Sequence, residues 1–181
     1  IMIQNMMLKE IKMKYKVFLK VYGTLLRAFL EVCPQKQTGQ WNGYYKISSG
    51  FGKRDAPTAG ASTFHGGIDI PAPEGSKLVC IMDGTVVATG WAGASGYTIT
   101  VKSDDGIYRF SYSHSSPEFI VSVGQKVKKG EIIGKVGPKN VYGINNNPYK
   151  DNKGNPTNGA TTGCHCHFSV RKEGELIDPL E

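Results

Sequence analysis

The sequence predicts a mainly β protein, an antiparallel sheet preceded by an N-terminal helical segment. Three observations lead to this prediction. Short β-rich runs follow one another through the middle of the chain, 23 glycines supply turns, and the first forty residues differ in having apolar residues at helical spacing. At 181 residues with 39% apolar content, the chain can bury one good core, and nothing in its sequence indicates two full domains.

The N-terminal segment, residues 1–40, has the pattern of a basic amphipathic helix. It contains seven lysines or arginines against two glutamates, so it carries a net +5 of the chain's +7. A helix packed on the domain, or on other parts of a longer protein, is the favoured interpretation. A contact with a membrane surface or an anionic polymer through residues 9–32 is the alternative. Its apolar stripe is formed by Val17, Val21, Leu25 and Phe29.

This segment is too interrupted by charge to cross a bilayer. Only six uncharged residues separate Lys20 from Arg27, whereas a spanning helix needs about 20 apolar residues. A secretory signal is disfavoured for the same reason, since its apolar region would be broken by charge. We therefore expect an export or anchoring signal to lie upstream, in a larger protein of which this chain is a part.

Residues 41–181 are predicted to form one domain of short strands. Turn residues separate the β-rich runs, which favours an antiparallel arrangement. A long stretch, residues 138–163, has the asparagine, proline and glycine content of a surface loop, and such a long loop is either functional or disordered. The β-rich runs are residues 78–81, 85–88, 97–101, 108–112 and 132–136.

The last β-rich segment contains His165 and His167. Alternate side chains on a strand share a face, so both imidazoles are expected to point the same way. Cys164, Cys166 and Phe168 then face a packed layer on the other side. We interpret both cysteines as small buried apolar residues and assign no disulfide, because pairing is not deducible from sequence.

A second pair of polar residues, His65 and Asp69, encloses two glycines and precedes two prolines. This composition favours a bend running into a short strand over a helical turn. Imidazole and carboxylate are both zinc ligands, and three protein ligands with one open position are typical of a catalytic zinc site. The remaining histidine, His114, follows Tyr112 and Ser113.

Taken alone, the pair His65 and Asp69 is weak evidence for a metal site, and the pair His165 and His167 is moderate evidence. A histidine and an aspartate separated by three residues usually form a polar turn, and a solvent-facing pair of histidines on a strand would look like His165 and His167. The chain has only four histidines, however, and all four fall in these patterns. The combination favours a metal site, as a hypothesis that structural context has to test.

The order and spacing of these motifs resemble the lysostaphin-like or LytM-type zinc endopeptidases, which cut peptidoglycan peptides. The similarity extends from about Ser48 to Pro179. The shared motifs are residues 49–54 (SGFGKR), 65–69 (HGGID), 72–75 (APEG), 83–87 (DGTVV), 112–114 (YSH), 123–127 (VGQKV), 130–134 (GEIIG) and 165–168 (HCHF).

The resemblance implies a compact antiparallel sheet with a groove that has Zn²⁺ at its floor. By position, His65, Asp69 and His167 would bind the metal, and His114 and His165 would be the catalytic pair. One of this pair would act as general base and the other would stabilise the oxyanion, and the sequence leaves the two roles interchangeable. Peptidoglycan would be the partner, and the protein would be extracellular or associated with the cell wall.

Two other function classes compete with this interpretation. An autoinhibited or noncatalytic wall-binding module, as a scaffold of a larger phage or conjugation machine, would not require the complete set of five residues. A lipoyl- or biotinyl-like carrier shares the glycine-flanked hairpins at residues 84–86 and 127–134 but has no use for four placed histidines. Nucleic-acid binding is disfavoured because most of the net positive charge lies in residues 1–40 and no recognised binding motif is present.

The long loop, residues 138–163, is a departure from the family pattern. It leads directly into the strand of His165 and His167, so we expect it to overhang the groove. We predict that the loop forms a wall that sets substrate specificity, with Tyr142 and Tyr149 as substrate contacts.

Overall fold

A computed structural model describes residues 47–181 as eleven short strands. The predicted helical segment of residues 1–40, with its suggested membrane or protein contact, lies outside the described residues. The strands are β1 (Gly52–Lys53), β2 (Phe64–His65), β3 (Ile68–Pro71), β4 (Lys77–Val79), β5 (Gly84–Trp91), β6 (Tyr97–Ser103), β7 (Tyr108–Ser113), β8 (Lys126–Val127), β9 (Ile132–Lys135), β10 (His165–Lys172) and β11 (Glu175–Ile177).

Seven strands form one antiparallel sheet in the order β11-β10-β7-β6-β5-β8, with β3 also paired to β10. Two small sheets, β1-β2 and β4-β9, flank it. One 3₁₀ turn at Gly93–Ser95 is the only helical element within residues 47–181. The prediction of a mainly β, antiparallel fold is confirmed. No helix among the described residues has the length and apolar character needed to cross a membrane.

Each of the five predicted β-rich runs overlaps a strand, namely β4, β5, β6, β7 and β9, with bounds that differ by up to a few residues. Along much of β5, β6 and β7, buried residues alternate with more exposed ones, which is the pattern of strands with one face on a core, whereas both central residues of β9 are buried. Phe110 on β7 and Phe168 on β10 are fully buried and stack with ring centroids 6.4 Å apart. Cys166 is buried beside them, as predicted, whereas Cys164 is partly exposed. The core therefore lies against the face of the sheet opposite His165 and His167.

Strand β10 is the element that organises the domain. One of its edges pairs with β7, and its other edge pairs first with β3 and then with β11. In this register His167 lies directly between Asp69 on β3 and Ser113 on β7. The far edge of β3 is also held, because Asp69 exchanges backbone hydrogen bonds with Ser48 and Ser49. Asp69 and His167, which are 98 positions apart in the chain, are thus fixed side by side by the pairing of their strands.

The second glycine of the HGGID motif permits this close pairing. A Cβ atom on Gly67 would lie 2.3 Å from the carbonyl oxygen of Phe168 and 3.1 Å from the ring of His167. Backbone atoms have little freedom to move away, so any side chain here would push β3 from β10.

We expect Gly67→Ala to lower the free energy of unfolding by about 1–3 kcal/mol, the usual cost of inserting an atom into a packed site. Equilibrium urea unfolding followed by circular dichroism measures this change. Gly50→Ala is the matched control, because a Cβ at Gly50 meets no atom within 4 Å. Equal stability of the two variants would contradict the proposed role of the close contact.

Candidate metal centre

Three potential metal-binding atoms converge where β2, β3 and β10 meet. His65 Nε2 lies 3.0 Å from Asp69 Oδ1 and 2.8 Å from His167 Nδ1, and His167 Nδ1 lies 2.9 Å from the same carboxylate oxygen. Within residues 47–181, His65, Asp69 and His167 form the group of ligand-type side chains close enough to hold one ion. The structure therefore brings together the three residues that the sequence analysis named as ligands.

The tautomer of His65 follows from its outer hydrogen bond. Its Nδ1 lies 2.7 Å from the carbonyl oxygen of Gly50, and a carbonyl oxygen only accepts hydrogen bonds. Nδ1 therefore carries a hydrogen and donates it, which makes Nε2, the nitrogen that faces Asp69, the atom available to bind a metal. Such outer hydrogen bonds commonly orient metal-binding histidines.

The spacing of the three atoms fits a small divalent cation. Four ligands around zinc at about 2.0–2.1 Å, in a tetrahedron, lie about 3.3 Å from one another. The observed separations of 2.8, 2.9 and 3.0 Å require an expansion of only a few tenths of an ångström. Two imidazole nitrogens and a carboxylate oxygen are also the donor types that zinc uses in catalytic sites.

Asp69 is held in its ionised form. Burial alone would raise the pKa of this carboxyl, but its close contacts with the rings of His165, His167 and His65 outweigh burial and hold the pKa well below its usual range. For His167, burial is the dominant influence, and it lowers the pKa of the ring despite the adjacent carboxylate. An anionic Asp69 and a neutral His167 are the protonation states that a metal requires.

Arg54 holds the other oxygen of the Asp69 carboxylate. Its Nη1 donates to Asp69 Oδ2 at 3.1 Å and to the hydroxyl of Ser49 at 2.7 Å. This contact turns Oδ1 toward the two histidines and leaves Oδ2 unavailable. The sequence analysis included Arg54 in a shared motif without assigning it a role, because nothing in its position along the chain indicates contact with Asp69.

The two remaining histidines lie beside the three converging atoms. His165 Nε2 is 3.4 Å from Asp69 Oδ1, and its Nδ1 donates to the carbonyl oxygen of Gly163 at 3.0 Å. The rings of His114 and His165 are 4.6 Å apart between centroids. His114 sits just beyond β7 with a positive φ of 55°, which aims its side chain away from the line of the strand.

His114 is 6% exposed, and burial lowers the pKa of its ring to about 3, with the charge of neighbouring His165 adding to the effect. The ring is therefore neutral at ordinary pH. Its Nδ1 donates to the carbonyl oxygen of Asn158 at 2.6 Å, so the lone pair is on Nε2. Both histidines of the pair thus leave Nε2 free for chemistry.

Asn158 is a second residue that the sequence analysis did not single out. It is completely buried, and its side-chain oxygen accepts from the backbone of Tyr97 at 2.9 Å while its amide nitrogen donates to the carbonyl of Ser115 at 3.0 Å. These two bonds fix the backbone carbonyl that holds His114. The long loop therefore anchors one of the histidines of the site.

All five residues named from the sequence line one groove with a volume of about 680 Å³. Asp69, His165 and His167 keep 14–19% of their side chains exposed, so a ligand in the groove can reach them. From the long loop, Ala160 and Thr162 line the groove, whereas Tyr142 and Tyr149 do not. Tyr142 is 71% exposed, and Tyr149 packs against Gly60. Their contact with substrate stays a prediction.

Comparison with known proteins decides the family. The model of peptidase family M23 matches residues 63–179. The chain belongs to peptidase family M23. This finding confirms the resemblance drawn from the motifs and the prediction of a metallopeptidase.

Curated relatives and solved structures agree with this assignment. The chain is 30% identical over 137 residues to the DD-carboxypeptidase/endopeptidase Mpg of Neisseria meningitidis, covering 76% of this chain and 27% of Mpg. A zinc-containing peptidase from Vibrio cholerae matches with a TM-score of 0.59 and 26% identity, over 78% of this chain and 37% of that one. The catalytic domain of lysostaphin from Staphylococcus simulans also gives 0.59, with 27% identity, over 80% and 96%. The chain thus spans about a quarter of Mpg.

Substitution of Arg54 tests whether this residue fixes the orientation of the Asp69 carboxylate. We expect Arg54→Ala to weaken zinc binding by about 10- to 100-fold, the usual loss when a partner of a metal ligand is removed, because Asp69 becomes free to rotate. Competition with a chromophoric chelator measures the affinity. The adjacent exposed residue offers a control, and Lys53→Ala is expected to leave the affinity unchanged. Equal affinities for the two variants would show that Arg54 does not orient Asp69.

The lowered pKa of His114 predicts a pH dependence of stability for the metal-free protein. Between pH 6.5 and about 3 the unfolded chain binds a proton at His114 and the folded domain does not. Acidification therefore favours unfolding, by up to about 1.4 kcal/mol per pH unit, and the effect is absent above pH 6.5.

His114→Asn removes this titration, so its stability is expected to fall less steeply than that of the wild type as the pH decreases. Urea unfolding of chelator-treated protein at pH 7, 5.5 and 4.5 gives the two slopes. Parallel slopes would mean that His114 titrates normally in the folded domain.

Proposed function

We propose that this domain is a zinc-dependent endopeptidase that hydrolyses peptide bonds in peptidoglycan stem peptides or cross-bridges. The observation that carries the proposal is the convergence of His65, Asp69 and His167 beside two further histidines in one open groove. Family membership and the similarity to a zinc-containing peptidase support both the metal and the reaction class.

In this proposal, His65, Asp69 and His167 hold Zn²⁺. When bound, zinc supplies the Lewis acidity that polarises a peptide carbonyl and activates water near neutral pH. Gly50 and Arg54 keep the lone pairs of His65 and Asp69 directed at the ion. The groove holds the peptide so that its scissile carbonyl lies beside the histidine pair.

We assign different roles to His114 and His165 because their surroundings differ. Burial keeps His114 neutral, so its Nε2 accepts the proton of the attacking water and later passes it to the leaving amine. Nε2 of His165 faces the groove 3.4 Å from a carboxylate oxygen of Asp69, beside the proposed metal position. We assign His165 the second role of the pair, stabilisation of the oxyanion that forms on the scissile carbonyl.

Peptidoglycan is proposed as substrate on the basis of the family. The names of the relatives, DD-carboxypeptidase/endopeptidase and the antimicrobial peptidase lysostaphin, describe peptidases, and the chain shares the corresponding domain. Such a substrate places the protein outside the cytoplasm, in the cell wall or the extracellular space. The noncatalytic scaffold alternative is not favoured, because the complete set of ligands and both further histidines are present.

Digestion of purified peptidoglycan sacculi tests the proposal. We expect the zinc-loaded protein to release peptide fragments whose masses identify the bond cut, and we expect chelation or His167→Ala to abolish release. His114→Asn and His165→Asn are each expected to lower kcat by about 10²- to 10⁴-fold, the range for losing a proton-transfer group. Lys172→Ala, at the exposed end of β10, is the control variant and is expected to keep the activity of the wild type.

Folded, zinc-loaded protein that releases no fragments would refute the endopeptidase and leave a binding module. The pH dependence of kcat, measured for both histidine variants, separates their roles. His114→Asn, which lacks the proposed base, is expected to regain part of its activity as the hydroxide concentration rises. His165→Asn is not expected to regain activity in this way.

A further inference from the structure

A second cavity, of about 460 Å³, lies between the long loop and Thr58. We call it the loop pocket. Most of its lining comes from the long loop of residues 138–163, and all of its principal side chains are polar. They are Lys139, Asn140, Asp151, Lys153, Asn155 and Thr162.

The loop pocket adjoins the catalytic groove. Thr162 lines both cavities, and the neighbouring Thr161 hydroxyl lies 3.3 Å from Nδ1 of His165. An extended peptide covers about 3.3–3.6 Å per residue, so a peptide leaving the groove past Thr162 enters the pocket within a few residues.

The wall of the pocket is preformed by hydrogen bonds to Asp151. One carboxylate oxygen accepts from the backbone of Lys153 at 3.0 Å and of Asn155 at 2.9 Å. The other accepts from the amides of Asn140 at 3.3 Å and Asn155 at 3.4 Å. Backbone bridges between Asn140 and Thr157, and between Lys150 and Pro156, close the loop around this centre. Since these bonds are internal to the loop, the pocket needs no ligand to form.

The accessible charge of the loop pocket is positive. Asp151 is only 10% exposed, and its two oxygens are occupied by four N–H donors. Lys139 approaches this carboxylate at 3.4 Å yet keeps 37% of its side chain exposed. Lys153 is exposed, and no acidic side chain within residues 47–181 pairs with its ammonium group. Lys139 and Lys153 are therefore the cationic residues that line the pocket, and the oxygens of the neighbouring carboxylate are already occupied by their own donors.

We propose that the loop pocket binds a free carboxylate of the peptide substrate. This inference rests on the proposed function and adds the substrate feature that the enzyme prefers. Two lysines against one buried aspartate leave a net charge of +1, which matches a single carboxylate better than a dianion. Asn152 and Thr162 line the same space and add hydrogen-bonding groups. Peptides in which this carboxylate is amidated bind less tightly and are cut more slowly.

Binding of two synthetic stem peptides tests the proposal. One peptide carries a single free carboxylate beyond the scissile bond, and the other carries a carboxamide at that position. Calorimetry on zinc-loaded His114→Asn protein avoids turnover. We expect the carboxylate peptide to bind about tenfold more tightly than the amide, the range of one hydrogen bond to a charged group.

The double variant Lys139→Gln, Lys153→Gln is expected to lose this preference, because only the binding of the carboxylate peptide becomes weaker. Lys172→Gln removes the same charge from the end of β10, outside both cavities, and is expected to retain the preference. Unchanged zinc affinity of the double variant would confirm that the site is intact.

Equal binding of the two peptides, binding of neither, or a preference that survives in the double variant would overturn the proposal. The result is separable from the test of the proposed function. A carboxylate preference without cleavage of sacculi would leave the pocket assigned and refute the endopeptidase, whereas cleavage without the preference would refute the pocket alone.

Discussion

The pairing of β10 with β3 and β7 is the constraint on which the site depends. Backbone hydrogen bonds set Asp69 opposite His167, and β2 brings His65 to the same point. Three atoms with lone pairs are thereby held within 3.0 Å of one another. Such crowding is unfavourable unless a proton or a cation lies among them. The free energy gained by burying one face of the sheet thus holds the three atoms close together, in an arrangement that favours metal binding.

The surrounding loops decide what each histidine can do. Backbone carbonyls of Gly50, Asn158 and Gly163 each accept the hydrogen of one Nδ1, in His65, His114 and His165 respectively. The free nitrogen of each ring therefore faces the groove. Burial lowers the pKa of His114 and keeps its ring neutral. The chemistry proposed for this M23 domain follows from the placement of these carbonyl groups as much as from the histidines.

The long loop has two separate effects in the structure. Its buried end, at Asn158, fixes the orientation of His114 through hydrogen bonds that leave no freedom in the side-chain amide. Its middle part, organised around Asp151, builds a cationic pocket next to the groove. Tyr142 in the same loop points to solvent, and its predicted contact with substrate stays a prediction. The same loop thus orients one histidine of the candidate site and shapes the surface next to the groove.

The sequence by itself determined the strand pattern and the identity of the five histidine and aspartate residues. Alternation on β10 reports which side chains share a face, and the scarcity of histidine makes coincidence improbable. Arg54, Asn158 and the loop pocket were decided only by tertiary structure. Their partners are distant along the chain, and a hydrogen bond from Arg54 to Asp69, or from His114 to a backbone carbonyl, leaves no periodic signature. Local pattern specifies faces and residue types, whereas the register between strands and the path of a loop specify which atoms meet.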